Sequence, residues 1–229
     1  MMLFTFLDLV AIAGFATAWA GYVFLVERSS HSPLGLNERM HAFREDWLRR
    51  MLARDMRMVD VQIMAALQNG TAFFASTSLI AIGGALTLTR SSEDIIGVAS
   101  YFPFAIPTSR VLWEAKAVGL CVIFVYAFFK FAWAYRLYNY VAILLGGTPP
   151  AAEKDTAEAE IHILRTTRLF TSAGRHFNRG QRAFFFALGY LGWFAGPIAL
   201  MIATAAVVIV MWRRQFASDS LRAVDCDKS

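Results

Sequence analysis

Apolar and polar positions alternate along this chain in long blocks rather than residue by residue. Four blocks are continuous enough to cross a bilayer as helices, each needing about 20 residues: residues 3–26, 63–88, 117–138 and 183–212. The polar blocks between them also read as helical. From Asn37, a candidate N-cap, Met40, Phe43, Trp47, Met51 and Met58 fall on one side of a helix, with Arg44 intruding. Glu45–Arg49 and Asp46–Arg50 stand four apart in the favourable order. This predicts an amphipathic helix packed on the inner end of a bundle; a membrane-surface or partner-binding helix is the alternative. After Pro149 and Pro150 a second polar helix is expected. Glu153, Asp155, Glu158 and Glu160 crowd its start, Arg165 and Arg168 lie toward its end, and Gly174 is its candidate C-cap. The segment between Arg90 and Arg110 is apolar, too short to span and broken by Pro103 and Pro107; it is expected to cap the bundle or lie at the interface. Residues 213–229 form a polar tail.

Composition agrees with this pattern. The 229 residues are 57% hydrophobic and 17% charged, against ~45–50% and ~25% in soluble domains. Mean hydropathy is +0.47. The fold class is therefore all-α integral membrane, one domain over residues 1–212. The first block is not read as a cleaved signal peptide: no Lys or Arg precedes it, Asp8 interrupts it, and it continues past the small residues around Trp19.

The net charge of +5 is distributed by loop, which favours membrane topology over nucleic acid as its cause. The loop after the first span carries Arg28, Arg39, Arg44, Arg49, Arg50, Arg54 and Arg57. The loop before the fourth carries Lys154, Arg165, Arg168, Arg175, Arg179 and Arg182, whereas the middle loop has only Arg90 and Arg110. The positive-inside rule then places both basic loops in the cytoplasm and both termini outside, in a bacterial inner membrane. Arg213 and Arg214, after the last span, run against that assignment.

Candidate chemistry is sparse. Lys130 and Arg136 sit in "FFKFAWAYRLYNY". Arg136 falls at the inner boundary of the third span and Lys130 lies ~9 Å deeper, within snorkelling reach of the headgroups. Trp133, Tyr135, Tyr138 and Tyr140 are expected to form an interfacial belt. A functional role for Lys130, with Gln68 or Asn69 as partner, is the alternative. Asp8, Asn69 and Lys130 are the intramembrane polar candidates, and Lys116 is a candidate partner for Asp8. Small residues mark packing faces: Ala11, Gly14, Ala18 and Gly21; Ala72, Ser76, Gly83 and Gly84; and Gly189, Gly192, Gly196, Ala199, Ala203 and Ala206, with a kink expected at Pro197. In "RHFNRGQR", Arg175, Arg179 and Arg182 are candidate ligands for an anionic lipid headgroup, with Asn178 and Gln181 as donors and Gly180 permitting close backbone approach.

Cys121 and Cys226 make no pattern, and the histidines, His31, His41, His162 and His176, all lie in loops, so neither a metal, a disulfide framework nor a bundle haem is predicted. There is no zinc-protease, phosphate-loop or nucleophile-elbow motif and no transporter-like internal repeat. No cofactor is expected. The stretches "DWLRRMLARDMRMVDVQIMAAL", "FFASTSLIAIGG", "FKFAWAYRLYNYVAILLG" and "HFNRGQRAFFFALGYLGWFAGP" resemble a membrane family of bacteria and plants catalogued as domain of unknown function 599. The resemblance implies a multi-span helical membrane protein and no particular activity. Three functions remain in competition. The leading one is a non-catalytic accessory or assembly component, whose partners would be lipids, other membrane subunits or a second copy. The second is a small transporter or channel resting on Lys130, Asn69, Asp8 and Pro197. The third is a lipid-acting enzyme using His176, Arg175, Arg179 and Asn178.

Overall fold

The computed structural model describes residues 4–29, 36–90 and 109–216. Residues 91–108 and 217–229, Cys226 among them, together with His31 and the side chains of Arg28 and Asn37, lie outside the described residues, while residues 213–216 of the expected tail are helical. Among the described residues there are six α-helices: α1 Phe6–Ser29, α2 Leu36–Leu52, α3 Met58–Arg90, α4 Arg110–Gly146, α5 Ala157–Ala195 and α6 Pro197–Phe216, with a short 3-10 turn at Ala151–Glu153. The segments Phe6–Glu27, Met58–Arg90, Arg110–Gly146 and Pro197–Phe216 are long and apolar enough to cross a membrane.

Two expected boundaries are corrected. The second polar helix does not stop at Gly174. Thr156 caps it, its hydroxyl accepting from the Ala159 amide, and α5 then runs unbroken for 39 residues to Ala195. Conversely, the block 183–212 is not one kinked helix. The chain reverses at Gly196, whose φ of 142° is in the left-handed half of backbone space that glycine tolerates. The Gly196 amide closes α5 onto the Gly192 and Trp193 carbonyls, and Pro197 opens α6, where its missing N–H costs nothing. α5 and α6 are thus an antiparallel hairpin. A Cβ on Gly192 would stand 2.7 Å from the Ala199 carbonyl oxygen, Gly189 faces Ala203 and Thr204, and the Arg214 guanidinium lies 5.3 Å from the centre of the Phe185 ring.

The small residues expected on one face of one span therefore face each other across two helices. In α3 the buried stripe is Met64, Thr71, Ser78 and Ala85, spaced by seven, and not the exposed Ser76, Gly83 and Gly84. Thr71 and Ser78 return their hydroxyls to the carbonyls of Leu67 and Phe74, so they pack as small residues with no polar cost.

The helices build two stacked layers. In the first, the C-terminal half of α5 packs among α1, α3, α4 and α6 through an aromatic interior: Phe15, Phe124, Phe131, Phe186, Tyr190 and Trp193. Glycines are required where helix axes close in. A Cβ on Gly119 would overlap the Tyr190 hydroxyl, and one on Gly180 would stand 2.7 Å from the Phe131 ring. α4 and α5, at 37 and 39 residues, are about 55 Å and 58 Å long, so they overrun a ~30 Å hydrocarbon core. Their overhanging ends form the second layer with α2 and the start of α3, around Leu48, Met51, Met64, Val141, Ile163 and Phe170.

α2 packs on this inner end as expected, but through a rotated face. Leu48, Met51 and Leu52 are buried, while Met40, Phe43 and Met58 are exposed. Arg44 belongs to the packing face, its guanidinium 5.3 Å from the centre of the Phe170 ring and against Gly174. Arg49 joins Glu45 within α2 to Glu160 on α5, at 2.9 and 2.7 Å. Arg57 donates to the Thr148 and Pro149 carbonyls, fastening the α2–α3 turn to the α4–α5 turn. Trp47 Nε1 and Arg54 both donate to the buried Asp60 carboxylate, at 2.7 and 2.6 Å.

Candidate functional site

Contacts fix which helix ends share a level. At one end Trp193 Nε1 donates to Asp8 (2.8 Å), and Trp113 Nε1 donates to the Leu88 carbonyl (3.0 Å). At the other, Glu27 meets Arg179 (2.8 Å) and Arg182 (3.5 Å). α1 and α6 run side by side in the same direction from the Asp8 end to the Glu27 end. Phe6 and Phe216 therefore lie at opposite ends of the first layer, whereas the apolar pattern of four blocks puts them at the same end. The hairpin at Gly196 adds one reversal that the hydropathy pattern does not register, because 183–212 is long enough to read as one apolar block. Arg213 and Arg214 consequently join the other basic residues instead of opposing them.

The basic cluster is the site that the sequence partly anticipates. Arg179 and Arg182 converge on Glu27, the partner that sequence reasoning missed, and the charge of Arg175 also reaches Glu27. Arg182 is 9% exposed, and its Nε has no partner. One carboxylate is shared among three guanidiniums, so the cluster keeps an excess of positive charge. Gly180 does not open the backbone to a ligand; the space beside it is filled by the Phe131 ring. His176 lies edge-on to Trp133, and its buried Nδ1 makes no hydrogen bond, so no acid orients it as a general base.

The three intramembrane polar candidates are not brought together. Lys130 lies over the Tyr126 ring at 5.0 Å, on the basic side. Its proposed partner Gln68 instead donates to Asn139 (2.7 Å), and Asn69 is exposed on the outer face of α3. Arg136 donates to the Tyr140 hydroxyl at 2.6 Å and lies against the Trp133 ring. Trp133, Tyr135 and Tyr140 are exposed at this level as a belt would require, but Tyr138 is buried against Phe170. Asp8 is 3% exposed and saturated: the Thr5 amide and hydroxyl and Trp193 all donate to it. Lys116, also 3% exposed, reaches Asp8 only across Trp193, with its ammonium 5.4 Å from the centre of that ring. Trp193, which holds Asp8 and lies against Lys116, carries no signal in the sequence that would single it out.

The second layer carries the clearest electrostatic shifts outside the apolar helices. The Arg49 guanidinium hydrogen-bonded to Glu160 holds that carboxyl below its ordinary value. Burial pushes His162 below the ordinary imidazole value; a backbone bond to Leu144 opposes this, and the charges of Arg165 and Arg57 add to it.

No curated protein and no solved structure matches the chain. A family model described as "Protein of unknown function, DUF599" matches residues 10–220, from the first turns of α1 past the end of α6. The chain belongs to this DUF599 family.

Proposed function

We propose that this chain is an integral membrane protein of the bacterial inner membrane that works as a non-catalytic accessory or assembly component. Four apolar helices and the C-terminal half of α5 cross the bilayer, which makes five crossings. The second layer and the Glu27 end face the cytoplasm, because Arg39 to Arg57, Lys154 to Arg182, Arg213 and Arg214 all gather there, against Arg90, Arg110 and Lys116 at the other end.

The observation that carries the reading is the filled axis of the first layer. Phe74, Phe131, Phe177 and Phe184 contact one another with ring centroids 5.3–6.1 Å apart, and Phe15, Trp19, Tyr22 and Phe186 do the same at 5.4–6.2 Å. A solute route would have to displace this packing. The reading is tested by purification in mild detergent and mass spectrometry of the proteins that remain bound, alongside flux assays in liposomes holding this chain alone. Defined membrane subunits at fixed stoichiometry and no flux are expected. Robust solute flux by the isolated chain would overturn the accessory role. It would favour transport, whose specific support is the buried Asp8 and Lys116 on either side of Trp193.

A further inference from the structure

We propose that α1, α5 and α6 form a binding site for one anionic phospholipid of the inner leaflet, with its phosphate at Arg182 and Arg214 and an acyl chain along the α1–α6 groove. The inference uses the membrane-embedded bundle above and is independent of the accessory role.

The groove lies where α1 and α6 run side by side. It has a volume of 390 Å³ and is lined by Gly14, Phe15, Ala18, Met201, Thr204, Ala205, Val208 and Ile209. That falls in the ~300–1,000 Å³ range of small-molecule sites. Its lining is apolar in effect, since the one hydroxyl, on Thr204, is spent on the Leu200 carbonyl. The small face of α1 expected to pack against another helix is open here: a Cβ on Gly14 or Gly21 would meet nothing within 4 Å. The bundle thus leaves a chain-shaped gap between two of its lipid-facing helices.

Polar chemistry sits at one end of that gap and not the other. Following the groove toward the cytoplasmic side leads to Tyr22, on which the charges of both Arg182 and Arg214 act. Arg182 is buried, with Nε unpartnered and only a 3.5 Å contact to Glu27, a carboxylate that Arg179 already engages at 2.8 Å. An arginine has five donors in a rigid fork suited to phosphate. Arg214 is exposed at the mouth, its guanidinium over Phe185, one helical turn from Arg182 on α5. Arg182 shares the Glu27 carboxylate with Arg179, and Arg214 over Phe185 adds a further cation, so positive charge is left for an anion. The spacing also fits. Ten residues separate Gly14–Ala18 from the Val26 level, about 15 Å of helix, which is one leaflet of a ~30 Å hydrocarbon core. A free phosphate would use the arginines and leave the groove empty; a neutral lipid would use the groove and leave the arginines unmatched.

The test is native mass spectrometry of the full chain in mild detergent, supplied with equal phosphatidylglycerol and phosphatidylcholine, with inorganic phosphate and short-chain phosphatidylglycerol as competitors. The wild type is expected to retain one phosphatidylglycerol in preference to phosphatidylcholine, and neither competitor should displace it. Arg214→Gln should lower that preference about fivefold, the equivalent of ~1 kcal/mol per basic side chain near an anionic headgroup. Gly14→Leu, which fills the groove at a position with open space, should reduce retention of both lipids. Arg182→Gln, which leaves Glu27 paired with Arg179, should also lose the preference. Equal retention of the two lipids by the wild type, displacement by inorganic phosphate, or unchanged retention in Gly14→Leu would each overturn the proposal.

Discussion

Gly192, Gly180 and Gly83 are all glycines in the interior of long helices. In the structure they differ by what a single methyl would meet: the Ala199 carbonyl oxygen at 2.7 Å, the Phe131 ring at 2.7 Å, and nothing within 4 Å. Gly180→Ala should therefore lower stability by about 1–3 kcal/mol, the usual cost of overpacking. Gly192→Ala should cost at least as much, because its obstacle is backbone and cannot rotate away, whereas Gly83→Ala should be neutral. Melting in detergent checks this, and equal behaviour of the three variants would refute the packing assignment. The same comparison shows what the sequence could reveal at this scale. It marks Gly189, Gly192, Ala199 and Ala203 as small residues on one packing face, and in the structure they pack against each other. It cannot reveal that the contact spans a turn, since a periodic small face reads the same along one helix as across two that meet at Gly196. Arg44 shows the converse. Its charge looks like a break in the apolar stripe of α2, yet its planar cation packs on Phe170 and Gly174 as part of the buried face.

Among the elements, α5 was the least legible. Its apolar stretch from Ala183 to Ala195 is too short to read as a span, and its first half reads as a surface helix. The first half of α5 keeps an exposed polar face, and the second half is mostly packed against other helices, with Leu188 and Leu191 left exposed, so neither half carries a span-length apolar exterior. The apolar cores of α1, α3 and α4 were legible because lipid-facing helices must be apolar over their whole length. At the start of α5, His162 rests against Thr148, with Thr148 Oγ1 3.3 Å from its Nε2. Burial there favours the neutral ring, so the folded-state pKa lies below the ordinary 6.5. The unfolded chain then binds the proton first as pH falls. The stability that this histidine contributes is complete above about pH 6.5 and is lost as pH falls through the lower folded value. Melting temperature should fall between pH 7.5 and pH 5, and His162→Gln should show a shallower fall. An identical pH slope in the variant would show that the ring is not burdened by its surroundings.

For the whole molecule, the pattern of apolar blocks reveals a helical chain with helices long and apolar enough to cross a membrane, while the reversal between α5 and α6 turns on one residue with φ of 142°. The intramembrane candidates also depended on the assembled bundle. Asp8, Asn69 and Lys130 look like parts of one polar path, yet each finds a different environment: Trp193, the outer face of α3, and the Tyr126 ring. Glu27, at the end of the first apolar block, gave no sign of collecting arginines from 150 residues away. The central claim is the α5–α6 hairpin, which places the two ends of the described bundle on opposite sides and gathers Arg213 and Arg214 with the other basic residues. Its most direct test is a pair of reporters fused after Ser229, one active only in the cytoplasm and one only outside it. The hairpin predicts activity from the cytoplasmic reporter alone. Activity from the external reporter alone would mean that residues 183–212 cross once, and would contradict the account.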